Sequence, residues 1–156
     1  GMAGCEHRVG GLEKNHDGVI SSDPQNHDLM VKERMEKVQR VANYIPELKV
    51  DGAESGKLLV VGWGGTYGHL LSAVQEVRAE GIDVSFAHFD YIMPLPKNTA
   101  DVFEKFDKIL VCELNSGQFV NYLRAVLPQF KYEQFNKVQG QPFLVQEITT
   151  AIKENF

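Results

Sequence analysis

From residue 58 onward, short segments that read as strands alternate with stretches in which apolar positions return every three or four residues. The strands are read at Leu58 to Val61, an unbroken apolar run, and at Val84 to Phe89, Ile109 to Cys112 and Tyr132 to Phe135. Apolar residues at successive positions, instead of every second one, predict strands buried on both faces. Helices are predicted between them. The first spans about Tyr67 to Glu80, burying Leu70, Leu71, Val74 and Val77, with Gly81 as a left-handed cap. The second runs from about Thr99 to Phe106 behind the stiff turn Pro94-Leu95-Pro96, with Asn98 as its cap. A third carries Phe119, Val120, Leu123, Val126 and Leu127 up to Pro128, and the last begins near Gln141-Pro142 and buries Val145, Ile148 and Ile152.

Each connection is long enough for a right-handed crossover, so a mainly parallel α/β sheet with helices on both faces follows. The first of these strands is expected at the centre, flanked by the second and third. The topological switch then lies beyond strands one and three, where Gly62 to Gly68 and Glu113-Leu114-Asn115-Ser116-Gly117 emerge together.

Ahead of this core, Asp23 is an N-cap with Pro24 at the first helical position. Val31, Met35, Val38, Ala42 and Ile45 then mark one face of a long helix running to about Tyr44, stopped by Pro46. That face calls for an apolar partner, in this domain or in another subunit. Glu33, Lys37 and Arg40 lie between and form a solvated side. Residues 1–22 read as a linker from something upstream, since Cys5 to Ser22 is rich in Gly, His, Asn and Asp without apolar period. Residues 23–156 form the domain with its leading helix.

Composition narrows the function. With 43% hydrophobic and 24% charged residues over 156 positions the chain suits one domain, and its net charge of −5 offers no basic surface for phosphate backbone, so no nucleic-acid partner is expected. No apolar stretch approaches the roughly 20 residues that span a bilayer, and the start carries no signal-peptide series, so no membrane is expected and a cytoplasmic location is. Gly1-Met2 looks like the scar of a cleaved tag. The two cysteines, Cys5 and Cys112, imply no disulfide framework, Cys112 reading as a small hydrophobe within a strand.

Gly62-x-Gly64-x-x-x-Gly68 approaches a dinucleotide fingerprint, with Asp90 at the end of the second strand where a ribose-binding acid belongs, but Tyr67 occupies the place of the third glycine. Short glycine-bearing turns also arise wherever helix and strand pack tightly. Cys5, His7, His16 and His27 match no zinc spacing and read as polar loop residues. Glu113, Asn115 and Gln118 cluster at the expected switch, either to orient a partner or accept a proton, or as a helix start capped by Asn115 or Ser116. His69 and His88 read as packed or solvated. No phosphate loop, Cys-x-x-Cys pair or nucleophile elbow is present, so no catalytic residue is assigned. The candidate functional or interface surface is Gly62, Gly64, Gly65, Thr66, Gly68, Glu113, Asn115, Gly117 and Gln118.

Across almost the whole chain a series of motifs supports a family resemblance. They are Gly11-Leu12-Glu13, Asp23-Pro24-Gln25-Asn26-His27, Lys32-x-Arg34-x-x-Lys37, Val61 to Gly68, Pro94-Leu95-Pro96-Lys97-Asn98, Glu113-Leu114-Asn115-x-Gly117-Gln118 and Asn136-Lys137-Val138-Gln139-Gly140-Gln141-Pro142-Phe143, the last three being the most specific. Together they resemble the C-terminal part of the α subunit of 2-oxoglutarate (2-oxoacid):ferredoxin oxidoreductase. The resemblance implies a transketolase C-terminal-like domain, a three-layer α/β/α sandwich, preceded by a thiamine-binding pyrimidine domain. It also implies a β subunit and ferredoxin as partners of the whole enzyme, which oxidatively decarboxylates a 2-oxoacid to acyl-CoA. Thiamine diphosphate, magnesium, an iron–sulfur cluster and coenzyme A are then cofactors of that whole enzyme, and none is expected on this chain. Two alternatives stand beside it: a stand-alone dinucleotide-binding domain using Gly62, Gly64, Gly68 and Asp90, and a pure subunit-assembly module.

Overall fold

The structure, a computed structural model, describes residues 1–6 and 10–156. It divides into two compact units, Gly1–Val41 and Ala42–Phe156.

In the first unit, Asn15 Oδ1 accepts from the backbone N–H groups of Asp17 and Val19, and Lys14 and Ile20 form an antiparallel bridge across that turn. Helix α1 (Pro24–Arg40) starts as its sequence predicts: Asp23 Oδ1 accepts from the N–H groups of Gln25 and Asn26 at 2.7 and 2.9 Å, and Pro24 takes the first turn, where no N–H is needed. The α-helix ends at Arg40 and continues as a 3₁₀ turn over Val41–Asn43, short of the expected Tyr44. No residue of α1 is buried. Glu13 accepts from Arg34 Nη2 at 2.8 Å and bonds His27 Nδ1 at 2.9 Å, partners that hold its carboxyl below the usual range. His16 bonds Glu33 at 3.1 Å, so both histidines are hydrogen-bonded to a carboxylate, while His7 lies outside the described residues. Among the described residues no group of three or more His, Cys, Asp or Glu side chains could hold a metal ion.

The second unit is a five-stranded sheet, β1 (Val50–Asp51), β2 (Gly56–Trp63), β3 (Ser85–Phe89), β4 (Phe106–Glu113) and β5 (Tyr132–Asn136), in the order β1-β3-β2-β4-β5. All neighbours are parallel except β1 on β3. Helices α2 (Tyr67–Ala79), α3 (Thr99–Phe103) and α4 (Gln118–Val126) supply the crossovers, and α5 (Val145–Asn155) follows the last strand. The expected three-layer, mainly parallel sandwich is therefore present, with the Leu58 to Val61 strand at its centre.

Alternation along the strands feeds two cores, because successive side chains leave a sheet on opposite faces. Leu58, Val60, Phe86, Leu110 and Cys112 pack with Leu70 and Val74 of α2 and Ile148 and Ile152 of α5. Leu59, Val61, Phe89, Ile109 and Val111 pack with Phe103 of α3 and Phe119, Val120 and Leu123 of α4. Both faces of the central strands are filled, which is why they read as unbroken apolar runs.

Four local features differ from expectation. The edge strand β1, absent from the strands read in the sequence, pairs through Val50 with Ala87 and is tied down by Arg78, whose guanidinium donates to Asp51 and to the Val84 carbonyl. The second predicted helix is one short turn, since Phe106 already pairs with Gly56 in the ladder. Asn98 does not cap it; its amide instead pairs with both backbone groups of Leu48, at 2.8 and 2.9 Å. The last helix starts at Val145 and not near Gln141, because the 137–144 segment folds around the buried Lys137, whose Nζ donates to Glu147 and to the Pro142 carbonyl. Gly81 is the left-handed cap expected, with φ +89° and its N–H on the Arg78 carbonyl.

Candidate functional site

Strand order reverses between β2 and β4, and their carboxyl ends carry the two segments singled out from sequence. At the end of β2, Trp63 leads into a 3₁₀ turn over Gly64–Thr66 that opens α2. The buried Thr66 hydroxyl locks this turn, donating to the Trp63 carbonyl at 2.9 Å and accepting from the Trp63 N–H at 3.1 Å. The glycines do different jobs. A Cβ on Gly62 would stand 2.1 Å from Leu70 Cδ1 and 2.6 Å from Thr66 Oγ1, so Gly62 lets α2 approach the strand. Gly64 has φ +58°, a left-handed conformation, with open space beside it. Gly65 and Gly68 face open space as well.

At the end of β4, Glu113 is fully buried, and its carboxylate accepts from the N–H groups of Phe119 and Val120 at 2.8 and 2.9 Å. Those are first-turn donors of α4, where a negative charge also meets the positive end of the helix dipole. Asn115 Oδ1 takes the N–H groups of Gly117 and Gln118, both at 2.8 Å. The N-cap of α4 is Gly117, not Asn115 or Ser116 as the sequence reading offered; Asn115 closes the loop before it, and Glu113, left there between capping and proton transfer, takes the first-turn donors of the helix. Gly117, with φ +93°, turns the chain between them.

Trp63 joins the two segments. Its Nε1 donates to Glu113 Oε2 at 3.4 Å, and its ring meets Phe119 edge-on at 6.3 Å. Trp63 thus ties the Gly64–Thr66 turn to Glu113; Gly62, Thr66, Glu113 and Gly117 are buried, whereas Gly64, Gly65, Gly68 and Gln118 are exposed. Trp63 was not among the residues picked from sequence, although an indole at a strand end beside a glycine turn marks a possible partner for a carboxylate.

A separate concavity of about 650 Å³ lies on the other side of β2, lined by Lys49, Val50, Asp51, Gly64, Tyr67, Phe86, His88 and Asp90. His88 Nδ1 is buried there without a hydrogen-bond partner among the described residues. Burial lowers the His88 pKa from its usual value, against opposing effects of the Asp90 charge and the Gly64 backbone. Gly64 and Asp90, proposed from sequence, thus share one cleft, whereas Gly62 and Gly68 do not line it.

Cys112 is fully buried in β4, and burial, helped by the neighbouring Glu113 charge, pushes its thiol far up. With one other cysteine in the whole sequence, the chain does not fit the four-thiolate set of an iron–sulfur cluster.

No protein-family model matches the chain. It is 39% identical to the 2-oxoglutarate oxidoreductase subunit KorA of Mycobacterium tuberculosis, over 98% of this chain and 23% of that subunit. A solved structure of 2-oxoglutarate:ferredoxin oxidoreductase from Magnetococcus marinus, with 2-oxoglutarate, coenzyme A and succinyl-CoA bound, superposes with a TM-score of 0.86. That match has 29% identity and covers 99% of this chain and 27% of that one. The split-gene transketolase inactive β4 tetramer, at 12% identity and a TM-score of 0.53 over 69% of this chain and 41% of its own, shares the fold. The chain spans about a quarter of the length of the curated relative it matches.

Proposed function

We propose, from this chain's homology to the C-terminal part of the α subunit of 2-oxoacid:ferredoxin oxidoreductases, that it serves such an enzyme by positioning and docking the parts that carry the chemistry. The observation that carries this reading is the match at 39% identity and, independently, at a TM-score of 0.86 along essentially the whole chain, the leading helix included. The reaction proposed for the whole enzyme is oxidative decarboxylation of a 2-oxoacid, 2-oxoglutarate first among them, to its acyl-CoA with ferredoxin as electron acceptor. There thiamine diphosphate, held with magnesium, supplies carbanion stabilisation and an iron–sulfur cluster the electron route.

This chain's own share is structural. The buried Glu113, accepting from Phe119, Val120 and Trp63, fixes the ends of β2 and β4 relative to each other, and so holds Gly64, Gly65, Gly68, Asn115 and Gln118 as a preformed rim for a neighbouring domain. The proposed neighbours are a pyrimidine domain of the α subunit and the β subunit, in the cytoplasm. A pure assembly module remains a special case of the same reading, differing only in whether the rim reaches the active site.

Co-expression tests it. The tagged chain should retain an α subunit truncated of its matching portion together with the β subunit, while the chain alone should not turn over 2-oxoglutarate with coenzyme A and a viologen acceptor. Failure to retain either subunit with a folded chain, or turnover by the chain alone, would overturn the proposal.

A further inference from the structure

The first unit, Gly1–Val41, has no buried residue among those described, so it has no hydrophobic core of its own. What organises it is polar. Asn26 donates to the Lys14 carbonyl and Glu33 bonds His16, so α1 meets the 13–21 turn along the face that carries Asn26, the partly buried Met30 and Glu33. Val31, Met35 and Val38 lie on a different face and stay open, Met35 being 64% exposed, and Leu12, Val19 and Ile20 ahead of the helix are more than half exposed. A helix of this length draws its stability in a protein from packing an amphipathic face, and a segment of about 40 residues without a core does not hold a fold unaided. The stripe is therefore completed by burial against something outside the chain.

The charges bordering the stripe decide what kind of cover fits. Arg34 and His27 on one side both hold Glu13, and Lys32 on the other holds Asp28. Each of these groups brings its own counter-charge, so the face can be covered without stranding an ion. An apolar contact without unpaired charge has the character of a permanent interface and not of a transient encounter. A second copy is too small a cover. Val31, Met35 and Val38 expose on the order of 250 Å² together, so two copies would bury about 500 Å² of stripe, well under the roughly 1,200 Å² of a stable interface.

We propose that the first unit is a docking arm whose apolar stripe is covered by the part of the α subunit that precedes this chain in its relatives. This rests on the reading of the chain as the C-terminal part of such a subunit, and deepens it by naming the surface and its one occupant. The chain spans 23% of the Mycobacterium tuberculosis subunit, so about three-quarters of that polypeptide lies outside it and, on that reading, runs directly into this arm. A neighbour tethered beside the stripe meets it at an effective concentration in the millimolar range, which a separate subunit does not match.

The chain, with p-benzoylphenylalanine in place of Met35, is co-expressed with the preceding part of the Mycobacterium tuberculosis α subunit and with its β subunit, and the purified assembly is irradiated. A cross-link to the α-subunit part is expected by mass spectrometry, and cross-links confined to the β subunit or to a second copy would overturn the proposal. In the same system Met35→Asp and Val38→Asp should each weaken retention of the α-subunit part about tenfold or more, with the melting temperature of the chain itself unchanged. Asp107→Asn, at an exposed position in β4, should leave retention as it is. Equal retention by Met35→Asp, Val38→Asp and the unaltered chain would overturn the arm while leaving the oxidoreductase reading in place. A marked drop in the melting temperature of both variants would overturn it as well, by placing the stripe's partner within the chain. Failure of the folded, unaltered chain to retain either subunit would instead overturn the oxidoreductase reading, and the arm with it.

Discussion

Glu113 is where a single side chain does most for this fold, because it is fully buried and three donors converge on it. Glu113→Ala would strand the Phe119 and Val120 N–H groups, at a cost of about 2–4 kcal/mol, and Glu113→Gln should recover part of that through its remaining carbonyl oxygen. Urea denaturation of both variants checks the order. The two ends of the glycine turn give opposite expectations: Gly62→Ala, which drives a Cβ into Leu70 and Thr66, should destabilise by about 1–3 kcal/mol, while Gly68→Ala, in open space within α2, should stabilise by about 0.5–1 kcal/mol. His88 adds a pH dependence whose sign follows from its lowered pKa. Near and below 6.5 the unfolded chain binds the proton more readily than the folded one, so stability is full above 6.5 and falls as pH drops toward the lowered native value. Urea midpoints between pH 7.5 and 5.5 should therefore fall less steeply for His88→Phe than for the unaltered chain. Residue roles were legible only when they were local. Asp23 could be read as a cap from its position before Pro24, but the donors to Glu113 lie six and seven residues away, across a loop whose path the sequence does not state.

Elements were legible in proportion to their burial. Strands β2, β3 and β4 and the helices that cover them announce themselves because both of their faces are filled, whereas β5 has no buried residue. The edge strand β1 has two residues and one ladder partner, so its stability comes from Arg78 and not from any pattern of its own. The short α3 was over-extended because Phe106 continues the apolar series of the helix while pairing in the next strand. Helix α1 shows the reverse case, a regular apolar stripe with no buried residue, Met35 being 64% exposed. Met35→Asp should thus leave the melting temperature of the chain within about 2 °C, as surface substitutions do. A larger drop in a thermal scan would mean that the stripe packs within the chain.

At the scale of the whole molecule, strand order and the position of the switch point followed from crossover rules, and the structure has both as expected. The cleft did not follow, because Lys49, Tyr67 and His88 come from a strand flank, a helix start and a strand, and only the tertiary fold makes them neighbours. The same holds for the working context: the chain spans about a quarter of the relative it matches, and on the proposed reading the chemistry is supplied by other parts. The most direct measurement of the central claim is a chimera in which this chain replaces the matching portion of the Mycobacterium tuberculosis relative, co-expressed with that enzyme's β subunit. Its coenzyme A-dependent reduction of viologen by 2-oxoglutarate should stay within about tenfold of the parent, because a docking domain of the same fold restores positioning without touching the reacting groups. A chimera that folds and yet neither assembles with the β subunit nor oxidises 2-oxoglutarate would contradict the account.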